Sequence, residues 1–82
     1  MQVDVRVFLK SGIADAEAET VERSLNMLGV DVKEVRVSKV YSLFVDAGND
    51  EDAMKVANEA CEKLLANPVI NDFEIEVKHD QA

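Results

Sequence analysis

Apolar and polar residues alternate in four stretches of the chain, a period typical of half-buried β-strands. The alternating apolar positions are Val3, Val5, Val7 and Leu9 in the first stretch, Val35 and Val37 in the second, Tyr41, Leu43 and Val45 in the third, and Phe73, Ile75 and Val77 in the fourth. Ser38 and Lys39 separate the second stretch from the third. The pattern therefore predicts four strands, with the middle two joined by a tight turn.

Two other stretches repeat apolar residues at helical spacing. The apolar positions are Ala18, Val21, Leu25 and Leu28 in the first, and Ala53, Val56, Ala57, Ala60, Leu64 and Leu65 in the second. Asp15 is suited to cap the first helix and Gly29 to end it, while the Gly-Asn-Asp run 48–50 is suited to begin the second. The pattern thus predicts two amphipathic helices.

The element order is βαββαβ, which predicts an α+β fold of the ferredoxin-like kind in one domain spanning residues 1–82. Its economical form is a four-stranded antiparallel sheet with both helices on one face. Right-handed crossovers would place the first and third strands in the centre and leave the second and fourth as edges. This topology hosts many unrelated activities, so it names no function.

Strand parity indicates an oligomer interface. If the valines of the first strand face the helices, Phe8 points to the helix-free face, and the same parity sends Val40 and Phe44 there. Two neighbouring aromatic residues on a sheet face favour self-association, so we expect a homodimer or a higher oligomer. Single exposed apolar residues are also common on monomers, which leaves a monomer open at this point.

The charge balance excludes some partners. The chain has 17 acidic and 9 basic residues and a formal net charge of -8, which disfavours binding to nucleic acid and to anionic membranes. No stretch approaches the ~20 apolar residues of a membrane span, and the start has no signal-peptide pattern. We therefore expect a cytoplasmic protein.

Few residues could support catalysis. His79, the single histidine, lies in a polar tail, and Cys61, the single cysteine, falls beside the apolar stripe of the second helix. The acidic run from Asn49 to Asp52 is better suited to cap a helix than to hold a metal. The sequence therefore predicts no catalytic residue, no metal site and no cofactor bound by this chain.

The stretch KLLANPVINDF, residues 63–73, predicts an unusual turn. Leu64 and Leu65 are expected to close the second helix against the core. Asn67 favours a left-handed helix end, whereas Pro68 pushes the residue before it towards extended backbone, so both demands cannot be met in full. Val69 and the residue after it would pack under the helix end or against another chain.

The run CEKLLANPVINDFEIEV closely resembles the C-terminal signature of the PurS subunit of phosphoribosylformylglycinamidine synthase. The opening VDVRVFLKSGI and the segment SLNMLGVDVKEVRVSK fit the same family, so the resemblance covers nearly the whole chain. Two segments depart from it. GIADAEA stands where the family usually has a GVLDPQG-like loop, and Ser38 precedes Lys39 where the family has glycine.

The resemblance implies a non-catalytic subunit of a purine-biosynthesis enzyme. In that family a glutaminase subunit releases ammonia from glutamine, a synthetase subunit uses ATP to convert formylglycinamide ribonucleotide to formylglycinamidine ribonucleotide, and a dimer of the small subunit bridges them. ATP and glutamine are thus expected to be used by the complex, an ATP-dependent ligase, and not by this chain. The partner-binding residues that the resemblance suggests are Arg36, Ser38, Lys39, Asn67, Pro68 and Ile70.

Two other classes share the topology. A regulatory module of the ACT type binds amino acids at oligomer interfaces, but its glycine-bearing loop is not convincingly present in KSGIADA. An acylphosphatase needs an arginine beside a phosphate-cradling loop after the first strand, and Arg23 lies well inside the first helix. The ACT-like module stays the main alternative to a subunit of the synthase.

Overall fold

The computed structural model describes residues 1–79, which form three strands and two helices with a short π-helical turn. In chain order these are β1 (Gln2–Leu9), α1 (Ala16–Met27), β2 (Ser38–Phe44), α2 (Asp50–Ala60), the π-helical turn (Cys61–Leu65) and β3 (Asn71–Lys78). Within this part of the chain, no helix has the length and apolar character needed to cross a membrane.

The three strands form one antiparallel sheet in the order β2-β1-β3. Val5 in the central strand pairs with Tyr41 of β2 and with Ile75 of β3. Neighbouring residues of β1 alternate between buried and half-buried, as the sequence predicted. The prediction that the first strand is central is confirmed.

The predicted second strand is absent, so the prediction of four strands was wrong. Residues 34–37 are not in a strand, and β2 begins at Ser38, where the tight turn was expected. Val35 and Val37 keep the period of a strand, but the chain passes from them into β2 without a turn. These residues therefore find no neighbouring strand in the described part of the chain, and β2 becomes an edge strand.

Helix α2 covers one face of the sheet. Val3 and Val5 of β1 are fully buried beneath Ala53 and Ala57 of α2, and Cys61 at the start of the π-helical turn completes this layer. Small side chains on α2 let the helix backbone approach the strands closely, and the valines fill the remaining space. The core thus lies between α2 and the sheet, where residues of β2 and β3 pack against the buried residues of β1.

Helix α1 forms as predicted but does not share this core. Asp15 Oδ1 accepts a hydrogen bond from the backbone N–H of Ala18 at 3.1 Å, and Gly29 ends the helix with a φ of 86°. Ala18 is buried, but Val21 and Leu28 of the predicted apolar stripe of α1 are 38% and 79% exposed. The radius of gyration is 16.0 Å, against about 12 Å for a compact chain of this length. The prediction of two helices on one face therefore holds for α2 only.

Candidate interaction surfaces

Residues 67–71 form a turn between the π-helical segment and β3. Hydrogen bonds within these residues hold the turn. The carbonyl oxygen of Asn67 accepts from the backbone N–H groups of Ile70 at 3.1 Å and Asn71 at 2.7 Å. The side chain Oδ1 of Asn67 accepts from Val69 N–H at 3.0 Å, and Oδ1 of Asn71 accepts from Asn67 N–H at 2.9 Å. These bonds close residues 67–71 into one hydrogen-bonded unit.

The same turn is joined to the end of β1. The backbone N–H of Lys10 donates to the carbonyl oxygen of Ile70 at 2.9 Å. The side chain Nδ2 of Asn71 donates to the carbonyl oxygen of Phe8 at 3.3 Å. These two bonds fix the turn against the central strand of the sheet.

The backbone of Asn67 follows the preference imposed by Pro68 and not the left-handed conformation of a helix end. Asn67 does not have a positive φ, so it does not adopt the left-handed conformation that would end a helix. The preceding Ala66 is already extended, with φ -126° and ψ 139°. The helix therefore ends before Asn67, and the asparagine side chain caps the turn instead.

The two leucines of this segment point in different directions. Leu65 packs against the core, whereas Leu64 is 83% exposed. The prediction that both leucines close the helix against the core was therefore wrong for Leu64. Val69 is 76% exposed and Ile70 is 37% exposed. We name Leu64, Val69 and Ile70 the apolar turn surface.

A depression of about 360 Å³ lies beside this turn. Lys10, Glu62 and Asp72 line it together with the apolar parts of Ala66, Pro68 and Phe73. Cys61 lies at its buried side, and burial raises the pKa of its thiol, with a smaller contribution from the charge of Glu62. Burial and the raised pKa both disfavour the thiolate form of Cys61, which is typical of a buried structural cysteine.

The helix-free face of the sheet carries Phe8, Val40 and Phe44, as strand parity predicted. The strand register places Phe8 opposite Ser38 and Phe44 opposite Gln2. The two aromatic residues are therefore six positions apart along the sheet, about 20 Å. The expectation that they are neighbours was wrong, because the antiparallel register sends them to opposite ends of β1.

Charged side chains occupy most of this face between the aromatic residues. Arg6 pairs with Glu74 at 2.7 Å, and its guanidinium lies 4.5 Å from the centre of the Phe8 ring. Asp4 accepts a hydrogen bond from Gln2 at 2.9 Å. This bond, a second one with Ser42 and the charge of Lys78 lower the pKa of Asp4. The face is therefore predominantly polar.

Ser38 and Lys39 begin β2, and Arg36 lies two residues before it. Arg36 Nε contacts Glu34 Oε1 at 2.8 Å, and Lys39 Nζ lies 5.8 Å from the centre of the Tyr41 ring. These two side chains thus already have contacts within the chain.

The structure brings both groups of predicted partner-binding residues to one end of the sheet. Phe8 of the central strand pairs with Ser38 on one side and with Asp72 on the other. Ser38 and Asp72 are therefore two strand spacings apart, about 10 Å. Asn67, Pro68 and Ile70 precede β3 at this same end, so the two groups flank the end of β1.

A second candidate surface arises because β2, which corresponds to the predicted third strand, lies at an edge of the sheet and not at its centre as expected. The outer edge of β2 pairs with no strand in the described residues. Met27, the last residue of α1, is 81% exposed, and Val30 just after the helix is 48% exposed. Met27 and Val30 lie outside the apolar stripe that periodicity indicated for the first helix, so no sequence pattern singled them out.

The residues considered for chemistry have structural roles. Asn49 Oδ1 accepts from Asp52 N–H at 2.8 Å, which confirms the predicted helix cap. His79 Nε2 lies 3.0 Å from Asp50 Oδ2 and so joins the end of β3 to the start of α2. Within residues 1–79, no group of three or more His, Cys, Asp or Glu side chains is arranged to hold a metal ion.

A family model and a curated relative both match this chain to PurS. The family model PurS, described as phosphoribosylformylglycinamidine (FGAM) synthase, matches residues 2–79. Phosphoribosylformylglycinamidine synthase subunit PurS of Methanocaldococcus jannaschii is 43% identical over 75 residues, which are 90% of this chain and 90% of that relative.

Two solved structures extend the likeness to the fold. The crystal structure of Methanocaldococcus jannaschii PurS, a subunit of formylglycinamide ribonucleotide amidotransferase, matches with a TM-score of 0.90 and 40% identity, covering 98% of each chain. A chain in the structure of PurLQS from Thermotoga maritima matches with a TM-score of 0.84 and 36% identity, covering 92% of this chain and 93% of that chain.

Proposed function

Because this chain belongs to the PurS family of phosphoribosylformylglycinamidine synthase, we propose that it is the small subunit that bridges the glutaminase and synthetase subunits of that enzyme. The likeness to a chain of the PurLQS structure is the observation that carries this proposal. The likeness extends over 92% of this chain and 93% of that chain, so it is not confined to the C-terminal motif.

The proposed role is positional. The glutaminase releases ammonia from glutamine, and the synthetase uses ATP to make formylglycinamidine ribonucleotide. A bridge that holds the two sites in one orientation raises the effective concentration of ammonia at the second site. The polar side chains considered for chemistry, such as those of Asn49 and His79, make contacts that stabilise the fold. A subunit that only positions its partners needs no more than this. ATP and glutamine are then reactants of the complex, which we expect to work in the cytoplasm.

The bridge is proposed to be a homodimer. The open edge of β2 offers backbone N–H and C=O groups to a second strand, as unpaired sheet edges do. Val40 and Phe44 lie on this strand and are 55% and 79% exposed. A second copy at this edge would cover both side chains and also supply a neighbour for residues 34–37. Phe8 lies away from the edge, beneath the guanidinium of Arg6.

The partner contacts are proposed at the end of the sheet where β1 stops. Arg36, Ser38 and Lys39 lie on one side of this end. Asn67, Pro68 and Ile70 lie on the other. Since Phe8 pairs with both flanking strands there, one partner surface about two strand spacings wide can reach both groups.

Reconstitution of the reaction tests the proposal. The synthetase and glutaminase from the same source are assayed with and without this chain, using glutamine in one series and ammonium salt in the other. The proposal expects that the glutamine-dependent rate needs the chain and that the ammonia-dependent rate needs it much less. Equal rates with and without the chain in both series would contradict it.

A further inference from the structure

The apolar turn surface combines exposed apolar side chains with a turn fixed by hydrogen bonds. Leu64 and Val69 are each more than three-quarters exposed, within a segment of six residues. The turn that carries Val69 is fixed by hydrogen bonds among Asn67, Val69, Ile70 and Asn71. Val69 and Ile70 therefore stand on a backbone that is fixed before binding, which lowers the conformational entropy lost when a partner covers them.

The surroundings of this surface are acidic. Glu62 and Asp72 line the depression beside the turn together with Lys10. Lys63, the other nearby base, forms a 2.6 Å ion pair with Glu59 on the exposed side of α2. A basic partner surface is therefore favoured by charge at this place.

The same charges disfavour a second copy of this chain as the occupant. Each copy has a formal net charge of -8, so two acidic rims brought together would repel each other. The turn also precedes β3, which lies on the opposite side of β1 from the open edge of β2. Self-association through β2 would leave the turn free.

We propose that the apolar turn surface, Leu64, Val69 and Ile70, docks into an apolar recess with a basic rim on another subunit of the synthase. This inference rests on the proposed function and deepens it, because it assigns Leu64 and Val69 to a heteromeric contact. The protein then has two separate binding surfaces for two different partners. The β2 edge binds a second copy, and the turn before β3 binds a different protein.

A double variant tests the assignment. Leu64→Gln with Val69→Thr removes apolar character while keeping side-chain size and the backbone bonds of the turn. Leu64→Met with Val69→Ile keeps the apolar character and serves as the matched rescue. Met54→Gln, at a residue 41% exposed on α2, controls for a polar change to an exposed apolar residue elsewhere.

Each variant is measured for thermal unfolding, for its own oligomeric state by sedimentation, and for binding to the isolated synthetase and glutaminase subunits. The expected result is that the polar double variant unfolds and self-associates like the unmodified chain but binds one of the two subunits at least about tenfold more weakly. The rescue and Met54→Gln variants should bind normally.

Three outcomes would overturn the inference. Normal binding by the polar double variant would exclude the turn from the contact. Loss of self-association would assign the turn to the interface between copies. Equal weakening by Met54→Gln would show that the effect is not local. If the unmodified chain binds neither subunit and leaves the glutamine-dependent rate unchanged, the proposed function itself fails, which is a distinguishable result.

Discussion

The backbone N–H of Lys10 donates a 2.9 Å hydrogen bond to the carbonyl oxygen of Ile70. This single bond joins the end of the central strand to the turn that precedes β3. It places the most exposed apolar side chains of the turn at a fixed position relative to the sheet. The sequence motif that resembles the family signature is thus coupled directly to the centre of the fold.

Asn71→Ala is expected to destabilise the fold by about 2 kcal/mol, because it removes two hydrogen bonds worth about 1 kcal/mol each. One is accepted from Asn67 N–H, and the other is donated to the carbonyl oxygen of Phe8. Chemical denaturation measures the change. Asn58→Ala is the control, since Asn58 makes an exposed bond within its own helix. Equal effects of the two substitutions would show that the turn adds little to stability.

Replacing Asn67 and Pro68 together by alanine is expected to weaken assembly more than folding. The Asn67 side chain caps an exposed turn, where water can replace the lost bond to Val69 N–H. The free chain should therefore lose only about 1 kcal/mol of stability. Binding needs the turn already in shape, so affinity for the partner subunits should fall further. A parallel loss of stability and affinity would indicate a purely structural turn.

Val5→Ala is expected to cost roughly 2 kcal/mol in the free energy of unfolding, since two buried methyl groups are lost and a small cavity remains. Val5 is fully buried in β1, whereas Val40 in β2 is 55% exposed. Val40→Ala makes the same chemical change on a neighbouring strand and should cost less than about 0.5 kcal/mol. Thermal and denaturant unfolding compare the pair. A large effect of Val40→Ala in the free chain would mean that self-association contributes to its stability.

Periodicity correctly predicted the strand and the helix that each bury one face. The alternation of Val3, Val5 and Val7 identified β1, and the stripe through Ala53 and Ala57 identified α2, because each pattern reflects one buried face. Residues 34–37 carry the same alternation yet form no strand, since a strand needs a partner whose position the local sequence does not encode.

The candidate surfaces were also predicted only in part, because their geometry depends on contacts between residues distant in sequence. Strand parity put Phe8 and Phe44 on the correct face, but their separation depends on the register of two strands distant in sequence. Leu64 was expected in the core because its spacing is helical. The π-helical turn from Cys61 to Leu65 is wound more widely than an α-helix, which rotates Leu64 out of the stripe while Leu65 stays in it.

Phe44→Ser is expected to weaken self-association by about tenfold, which corresponds to about 1.4 kcal/mol. Phe44 is 79% exposed on the edge strand, so a second copy at this edge would cover its ring. Sedimentation over a range of concentrations measures the dissociation constant. Met54→Ser, on the exposed side of α2, should leave it unchanged. An unchanged constant for Phe44→Ser would move the dimer interface away from the β2 edge.

Acid should selectively remove the contributions of Asp4 and Glu59 to stability. Hydrogen bonding from Gln2, with Ser42 and Lys78, lowers the pKa of Asp4 from its ordinary value of 3.8, and the bond from Lys63 lowers the pKa of Glu59 from 4.5. A carboxyl whose folded pKa is lowered stabilises the fold above its ordinary pKa. That stabilisation is lost as pH falls through the lowered value.

The double variant Asp4→Asn with Glu59→Gln should therefore melt below the unmodified chain at pH 7, and this difference should shrink as the pH falls below 4.5 and further below 3.8, the ordinary pKa values of the two carboxyls. Glu51→Gln is the control, because Glu51 lies on the same helix but approaches Lys55 only to 3.8 Å. The melting temperature of Glu51→Gln should differ less from that of the unmodified chain at pH 7 than the melting temperature of the double variant does. A difference for the double variant that stays constant from pH 7 into the acid range would show that these carboxylates do not govern the acid sensitivity of the fold.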